Sequence, residues 1–266
     1  SSETGLPEGI PVINGLTDGS AGDVATGTLH PGQANATIGT TLILHAVVKD
    51  PMPDSRRRFY YKTYFGNSFL AGGATNAGTL PLDAVAQLLR LSIAELNELA
   101  RSIPPGCDGL IAQPQWVGTR VPETYPHARG FFAGLDEKNA TAGHLFRSLL
   151  EGNALVLNSL LSIVEEVTGT RMKELRTCGG GSKSELQNQI IADTIGRTVK
   201  AVEGVDPSVG SAMLAVSSFC KKPMPQVASD VVKIRAEYHP DPSLREDYLT
   251  KGRILDEMTR FVAKVG

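Results

Sequence analysis

Asp18 is a carboxylate placed where acid–base chemistry can occur, at a junction between two kinds of local sequence. The apolar residues 10–13 before it are predicted to form a short strand, and the small residues after it suit a helix. A lone aspartate at such a junction more often caps the helix, but it can also be a general base aimed into a cleft. Asp23 is not a natural catalytic partner, since five positions along a helix turn its side chain about 140° away.

Glycine clusters beside small polar residues are the second feature that points to chemistry. The chain has 28 glycines in 266 residues, about 10%, where globular proteins average about 7%. Glycine lets backbone N–H groups approach a ligand closely, and a helix that begins just after such a turn attracts anions. The glycine clusters are residues 15–22, 39–41, 72–78 and 179–184.

The three consecutive glycines at residues 179–181 lie between a predicted strand at residues 174–178 and a predicted helix at residues 184–195. They form either a phosphate or nucleotide turn or simply a tight strand-to-helix connection, and both interpretations stay open. The turn is not a Walker A loop, because the GxxxxGK[ST] spacing is not met.

The same turn also resembles a degenerate dinucleotide fingerprint. Gly179, Gly181 and Ser184 have the GxGxxG spacing with serine in the last place, and Glu203 near the end of the next predicted strand would be the ribose-binding acid. Other catalytic signatures are missing from the sequence, since it has no HExxH, no GxSxG and no paired Cys/His ligand set. The five histidines are scattered and favour packing or surface roles.

The elements that must position these residues alternate between strands and helices, which predicts an α/β fold. The helix at residues 92–100 begins with the capping-box pair Ser92 and Glu95. A final helix follows Asp241-Pro242 and is predicted to bury residues that include Ile254 and Phe261. The predicted strands are residues 10–13, 33–38, 42–48, 58–65, 174–178 and 198–202, and the other predicted helices are residues 81–91, 141–168, 184–195 and 207–219.

Composition and charge restrict the class of protein. A formal charge of −2 argues against nucleic acid as the main partner, because phosphate backbones are bound by basic surfaces. No apolar run approaches the roughly 18–20 residues that span a bilayer, and no segment reads as a secretion signal, so no membrane association is expected. Three cysteines without CxxC spacing suit reduced thiols. These features predict a cytoplasmic protein.

Taken in chain order, the motifs resemble the C-terminal domain of the FGGY carbohydrate kinases. The order makes the resemblance specific, although no single motif is, and it covers residues 5–220. The segments that carry it are residues 5–12, 17–19, 31–41, 72–76, 128–135, 149–152, 179–184, 192–193 and 196–197.

The resemblance implies a ribonuclease H-like lobe of the actin/hexokinase ATPase type, with a mixed sheet flanked by helices. Residues 1–266 would form the C-terminal nucleotide-binding domain, with residues 1–9 as an interdomain linker and residues 221–266 as a C-terminal helical extension. The sugar-binding N-terminal lobe would be absent from this chain, which would hold half of the active site and be inactive alone.

The family's activity is transfer of the γ-phosphate of Mg-ATP to a sugar hydroxyl, and the motifs imply a role for individual residues. Asp18 looks like the catalytic base, with Mg²⁺ mainly on ATP phosphates and reached by Asp18 through water. The phosphate-contacting turn would be Gly39, Thr40 and Thr41. The nucleotide pocket would be Gly72, Asn76, Gly180, Gly181 and Ser184.

The substrate implied by the motifs is a ketopentose such as ribulose or xylulose, because Thr-Asp-Gly and Gly-Thr-Thr look like the pentulose kinases. Gly19 departs from the amide side chain that glycerol and xylulose kinases tend to carry after the base. The expected partners are ATP or ADP, a small sugar and the N-terminal lobe, and a homodimer is also considered. Two alternatives stay open: a non-catalytic nucleotide-binding or interaction module on the same fold, and a dinucleotide-binding lobe around residues 179–203.

Overall fold

A mixed sheet forms the centre of the computed structural model, which describes residues 3–264. The strands of the described residues are β1 (Gln33–Ile38), β2 (Leu42–Val48), β3 (Tyr60–Thr63), β4 (Phe69–Ala74), β5 (Ile111–Ala112), β6 (Phe132–Ala133), β7 (Glu174–Cys178), β8 (Val199–Glu203) and β9 (Lys233–Tyr238). The order in the main sheet is β3-β4-β2-β1-β7-β8-β9, and β5 pairs with β6 apart from it. The strands β1, β7 and β8 are parallel and their neighbours are antiparallel, so three carboxyl ends meet at one edge.

Helices cover both faces of this sheet. They are α1 (Asp18–Ala25), α2 (Leu80–Leu89), α3 (Ile93–Arg101), α4 (Ala142–Thr168), α5 (Glu185–Ile195), α6 (Pro207–Phe219), α7 (Met224–Val231) and α8 (Arg245–Val262). Because side chains alternate along a strand, Leu44 and Ala46 face the larger core around α4, while Val47 faces a smaller core formed with α1, α6 and α7. The predicted α/β class, with a mixed sheet flanked by helices, is confirmed.

Local sequence signals set many of the element boundaries. Ser92 and Glu95 form the predicted capping box of α3. Thr141 caps α4 by accepting a hydrogen bond from the His144 backbone N–H, and Gly169 ends that helix in the left-handed conformation. The strands predicted at residues 33–38, 42–48 and 174–178 have the predicted bounds.

Other predicted elements were wrong. Residues 10–13 do not form a strand, and they find no neighbouring strand to pair with. The strand β4 was not predicted, because its two glycines look like a turn in the sequence. Glycine is needed here for contact with the neighbouring strand, because a Cβ at Gly72 would collide with the carbonyl oxygen of Leu44.

The C-terminal region also differs from the expected helical extension. Its described part, residues 221–264, contains α7, α8 and the additional strand β9. This strand pairs antiparallel with β8 at the edge of the sheet, where its charged residues stay in solvent. Its sequence alternates charged and apolar residues, but the sequence analysis did not predict it as a strand. In α8, Ile254 and Phe261 are 41% and 69% exposed rather than buried. Within residues 3–264, none of the helices combines the length and the apolar character that a membrane crossing requires.

Candidate active site

The turns after β1 and β7 meet at the edge of the sheet where the parallel strands end. Residues 39–41 connect β1 to β2, and the Gly39 N–H donates to the Thr41 carbonyl oxygen at 3.3 Å. Residues 179–181 follow β7, and a Cβ added at Gly179 would lie 2.7 Å from the Ile38 carbonyl oxygen. Only glycine therefore allows the two backbones to approach this closely.

A third turn, before α2, completes this rim. Gly78 has a φ of 137°, and a Cβ there would lie 2.6 Å from the carbonyl oxygens of both Gly39 and Thr40. The Thr79 N–H donates to the Gly39 carbonyl oxygen at 2.9 Å. Asn153 on α4 holds the turn from below, since its Oδ1 accepts from the Gly78 N–H at 2.9 Å and its Nδ2 donates to the Gly78 carbonyl oxygen at 3.0 Å.

The sequence analysis selected Gly72 and Asn76 from this cluster, and the structure places both away from the cleft described below. Gly72 lies inside β4 opposite His45, where it is buried in the sheet. Asn76 has a left-handed φ of 64° and donates from Nδ2 to the Gly118 carbonyl oxygen at 3.1 Å, so it ties a surface loop to the end of β4. The glycine of this cluster that reaches the rim is Gly78.

A cleft of about 730 Å³ opens beside the rim, between the start of α5 and the helices α2 and α3. This volume is typical of small-molecule sites. Three residues of the predicted nucleotide pocket, Gly180, Gly181 and Ser184, line this cleft. Its remaining lining combines apolar and polar side chains. They are mainly Leu82, Ile93, Ala94, Phe146, Leu150, Thr79, Asp83, Asn97, Glu98, Arg101, Lys183 and Gln187.

Ser184 connects two elements that line the cleft, the start of α5 and the helix α3. Its Oγ accepts a hydrogen bond from the Gln187 N–H at 3.2 Å, which caps α5, and it donates to Asn97 Oδ1 on α3 at 2.7 Å. This contact spans 87 positions of the sequence, and the sequence analysis did not single out Asn97. The only local signal for Asn97 was a polar position on a short amphipathic helix.

Asp18 is the first residue of α1, and its side chain is exposed. Thr17, and not Asp18, caps the helix, because the Thr17 side chain accepts from the Ser20 N–H. Asp18 Oδ1 accepts from the Gly19 N–H at 2.7 Å, while no protein donor to Oδ2 is found among residues 3–264. The capping alternative for Asp18 therefore loses its support, and a carboxylate oxygen stays available to a ligand.

The helix that carries Asp18 is fastened to the sheet at its other end. Asp23 Oδ1 accepts from Asn35 Nδ2 at 3.0 Å, and Asp23 Oδ2 lies 2.7 Å from His45 Nδ1. Asp23 is 1% exposed and His45 is 4% exposed. Asp23 thus anchors α1 to the sheet.

Gly210 lets α6 pack closely against α1, since a Cβ at that position would collide with the Ala21 carbonyl oxygen. The resulting helix pair fixes α1 from its outer side, while Asp23 fixes it from below. Both contacts hold the helix and not the Asp18 side chain. They therefore position the backbone of Asp18 without contacting its carboxylate.

Asp18 does not belong to a ready-made metal centre. The part of the chain that the structure describes contains no group of three or more His, Cys, Asp or Glu residues that could hold a metal ion. A Mg²⁺ that enters with nucleotide phosphates and keeps several waters fits this arrangement, because it needs only one nearby carboxylate.

The mixed sheet, the glycine turns at the ends of β1 and β7 and the adjoining cleft define a ribonuclease H-like lobe of the actin/hexokinase type. A protein-family model described as the FGGY family of carbohydrate kinases, C-terminal domain, matches residues 34–219. The chain therefore belongs to this family and covers its C-terminal domain. The dinucleotide alternative loses support, since that fold has a mostly parallel, doubly wound sheet.

Individual relatives agree with the family. The chain is 29% identical over 212 residues to a xylulose kinase from Haemophilus influenzae, covering 75% of this chain and 40% of that protein. It is 23% identical over 273 residues to a gluconokinase from Bacillus subtilis, covering 98% of this chain and 53% of that protein. A crystal structure of xylulose kinase from Rhodospirillum rubrum superposes with a TM-score of 0.89 at 26% identity, covering 98% of this chain and 54% of that one. The chain thus spans about half the length of these relatives.

Proposed function

We propose that the protein containing this chain is an ATP-dependent sugar kinase, and that this lobe binds the nucleotide and supplies the base. The observation that carries the proposal is the meeting of three turns, at Gly39, Gly78 and Gly179, on the rim of one cleft, where positions 78 and 179 require glycine. Backbone N–H groups in such turns bind phosphates without a basic surface, which agrees with the formal charge of −2.

The cleft suits an adenine nucleotide. Its apolar side chains, which include Leu82 and Ile93, would cover a base, and Asn97 offers a side-chain amide to it. Residues 180 and 181 line the cleft and lie beside the end of β1, so phosphates extending from a nucleoside in the cleft would reach the rim. Thr40 and Thr41 then add hydroxyl groups to the backbone donors of the turn.

The exposed carboxylate of Asp18 would accept the proton of the attacking sugar hydroxyl. Phosphoryl transfer depends mainly on positioning and on charge stabilisation, and a carboxylate base completes the set of parts. Mg²⁺ bound to the ATP phosphates would neutralise part of the developing charge, with Asp18 reaching it through water. Most contacts to the sugar would come from an N-terminal lobe, with residues 1–9 as the linker, so this chain alone would transfer nothing.

The acceptor is proposed to be a ketopentose such as xylulose or ribulose. Relatives named xylulose kinase support this choice, including the Rhodospirillum rubrum structure. A second acceptor class is the sugar acid gluconate, because a gluconokinase matches 98% of the chain. We also propose that the protein works in the cytoplasm on small molecules and not on nucleic acid. Light scattering of the full-length protein tests whether it forms the homodimer considered from the sequence.

The test is a substrate screen with the full-length protein. ATP binding is measured by calorimetry, and ADP release is followed with xylulose, ribulose, gluconate and glycerol. Sugar-dependent ADP release supports the kinase. Binding of ATP without turnover on any sugar would instead support the non-catalytic nucleotide-binding module, and tighter binding of NAD than of ATP would revive the dinucleotide interpretation.

A further inference from the structure

The ammonium group of Lys62 reaches from β3 to the start of α1. A Cβ built at Gly19 would lie 3.6 Å from Lys62 Nζ, so the cation stands directly beside the residue that follows Asp18. The Lys62 Nζ also lies 5.8 Å from the centroid of the Tyr60 ring, which supports the long side chain from below. Strand β3 thereby contributes a positive charge to the neighbourhood of the candidate base.

This cation has no carboxylate partner within residues 3–264. Lys62 forms no ion pair with an acidic side chain of the described residues. Other lysines do form such pairs: Lys200 with Glu174, Lys222 with Asp230 and Lys251 with Glu151. Asp18 is the nearest acidic residue in sequence to Gly19, yet it does not pair with Lys62 either. An ammonium group beside a candidate base, without a carboxylate partner among the described residues, is available to an anionic ligand.

Gly19 and Lys62 fit each other. A methyl group at position 19 would be in ordinary van der Waals contact with Lys62 Nζ, and any longer side chain would have to displace the ammonium. The glycine therefore keeps open the space that the cation uses. The sequence analysis noted only that Gly19 lacks an amide side chain. In the structure, the missing side chain makes room for a charged group from another strand.

We propose that Lys62 binds an oxyanion of the reacting substrates next to Asp18, either the oxygen atoms of the transferred phosphoryl group or the carboxylate of a sugar acid. Both are oxygen anions that an ammonium group binds as a point charge. The proposal rests on the proposed kinase function and adds a residue to it.

The experiment compares Lys62→Met, Lys62→Arg and the control Lys138→Met in the full-length protein. Lys138 is exposed, unpaired and in the loop before α4. If Lys62 binds the phosphoryl group, Lys62→Met lowers kcat about tenfold or more on every sugar that is accepted, and Lys62→Arg restores most of it. If it binds a carboxylate, only kcat/KM for gluconate falls, and the values for xylulose and ribulose stay unchanged.

A result in which Lys62→Met behaves like Lys138→Met on all substrates overturns the proposal. A binding measurement keeps it testable if turnover is too slow to follow. In an Asp18→Asn background, calorimetry measures the affinity for a non-hydrolysable ATP analogue and the affinity for gluconate. Adding Lys62→Met should weaken at least one of these two affinities several-fold. Unchanged affinity for both contradicts the role of Lys62, whereas a wild-type protein that phosphorylates no sugar contradicts the proposed function itself.

Discussion

His45 Nδ1 lies 2.7 Å from Asp23 Oδ2, and this buried contact joins β2 to the helix that begins at Asp18. A carboxylate only accepts hydrogen bonds, so the ring nitrogen of His45 carries the hydrogen. Asp23 also accepts from Asn35 on β1, and its carboxylate therefore fixes α1 to two adjacent strands. The position of the candidate base is thus set by a polar contact about one and a half helical turns away from it.

Replacing Asp23 with alanine should lower the free energy of unfolding by about 3 kcal/mol, because His45 and Asn35 lose their shared acceptor while buried. Urea denaturation measures this change. In the full-length protein kcat should also fall, with ATP affinity within about twofold of the wild type, because α1 is displaced and the cleft is not. Glu257→Ala, at an exposed position of α8, is the control. Equal stability of the two variants would contradict the anchoring role.

Gly180 and Gly181 provide a matched pair that separates binding from folding. A Cβ at Gly180 meets no atom within 4 Å, whereas one at Gly181 collides with the Ile38 side chain. Gly180→Ala should therefore leave the melting temperature nearly unchanged while lowering ATP affinity about tenfold, since its methyl group enters the phosphate path. Gly181→Ala should lower both the melting temperature and the ATP affinity, because β1 and the turn are pushed apart. Normal ATP binding by Gly180→Ala would place the phosphates elsewhere.

Asp256 should make a contribution to the free energy of unfolding that declines between about pH 4 and pH 7. Burial raises the pKa of this carboxyl group from its usual 3.8 to about 6, and the nearby Glu123 also raises it. The stability contributed by the protonated form is complete below the unfolded-state pKa and is lost as the pH rises through about 6.

Asp256→Asn removes the contribution of this group to the pH dependence of stability. The free energy of unfolding of the variant should therefore exceed that of the wild type by near zero at pH 4 and by as much as ~3 kcal/mol at pH 8. Denaturant titrations across that range measure the difference. A difference that stays constant with pH would show that Asp256 ionises normally in the folded protein.

Local sequence determined much of the framework. Alternation of polar and apolar residues located β1, a continuous apolar run located β2, and the capping box at Ser92 located the start of α3. These features depend on neighbours within a few residues. Glycine clusters also located two turns of the rim, since a run of glycines beside a strand end is visible without any tertiary contact.

Contacts between distant segments decided the rest. Gly72, Asn76 and Gly78 look equivalent in one short cluster, and only the approach of Gly78 to Gly39 and Thr40 separates them. Asn97 meets Ser184 across 87 positions of the chain. The alternation of charged and apolar residues in β9 covers only six residues, and the pairing of this segment with β8 identifies it as an edge strand.

The most direct test of the central claim is the substitution Asp18→Asn in the full-length protein, which keeps the size of the side chain and removes its basicity. Steady-state ADP release and ATP calorimetry are measured on the same preparation. The proposed role gives a loss of about 100-fold or more in kcat with an ATP Kd within about twofold of the wild type. Turnover near the wild-type rate would contradict Asp18 as the base.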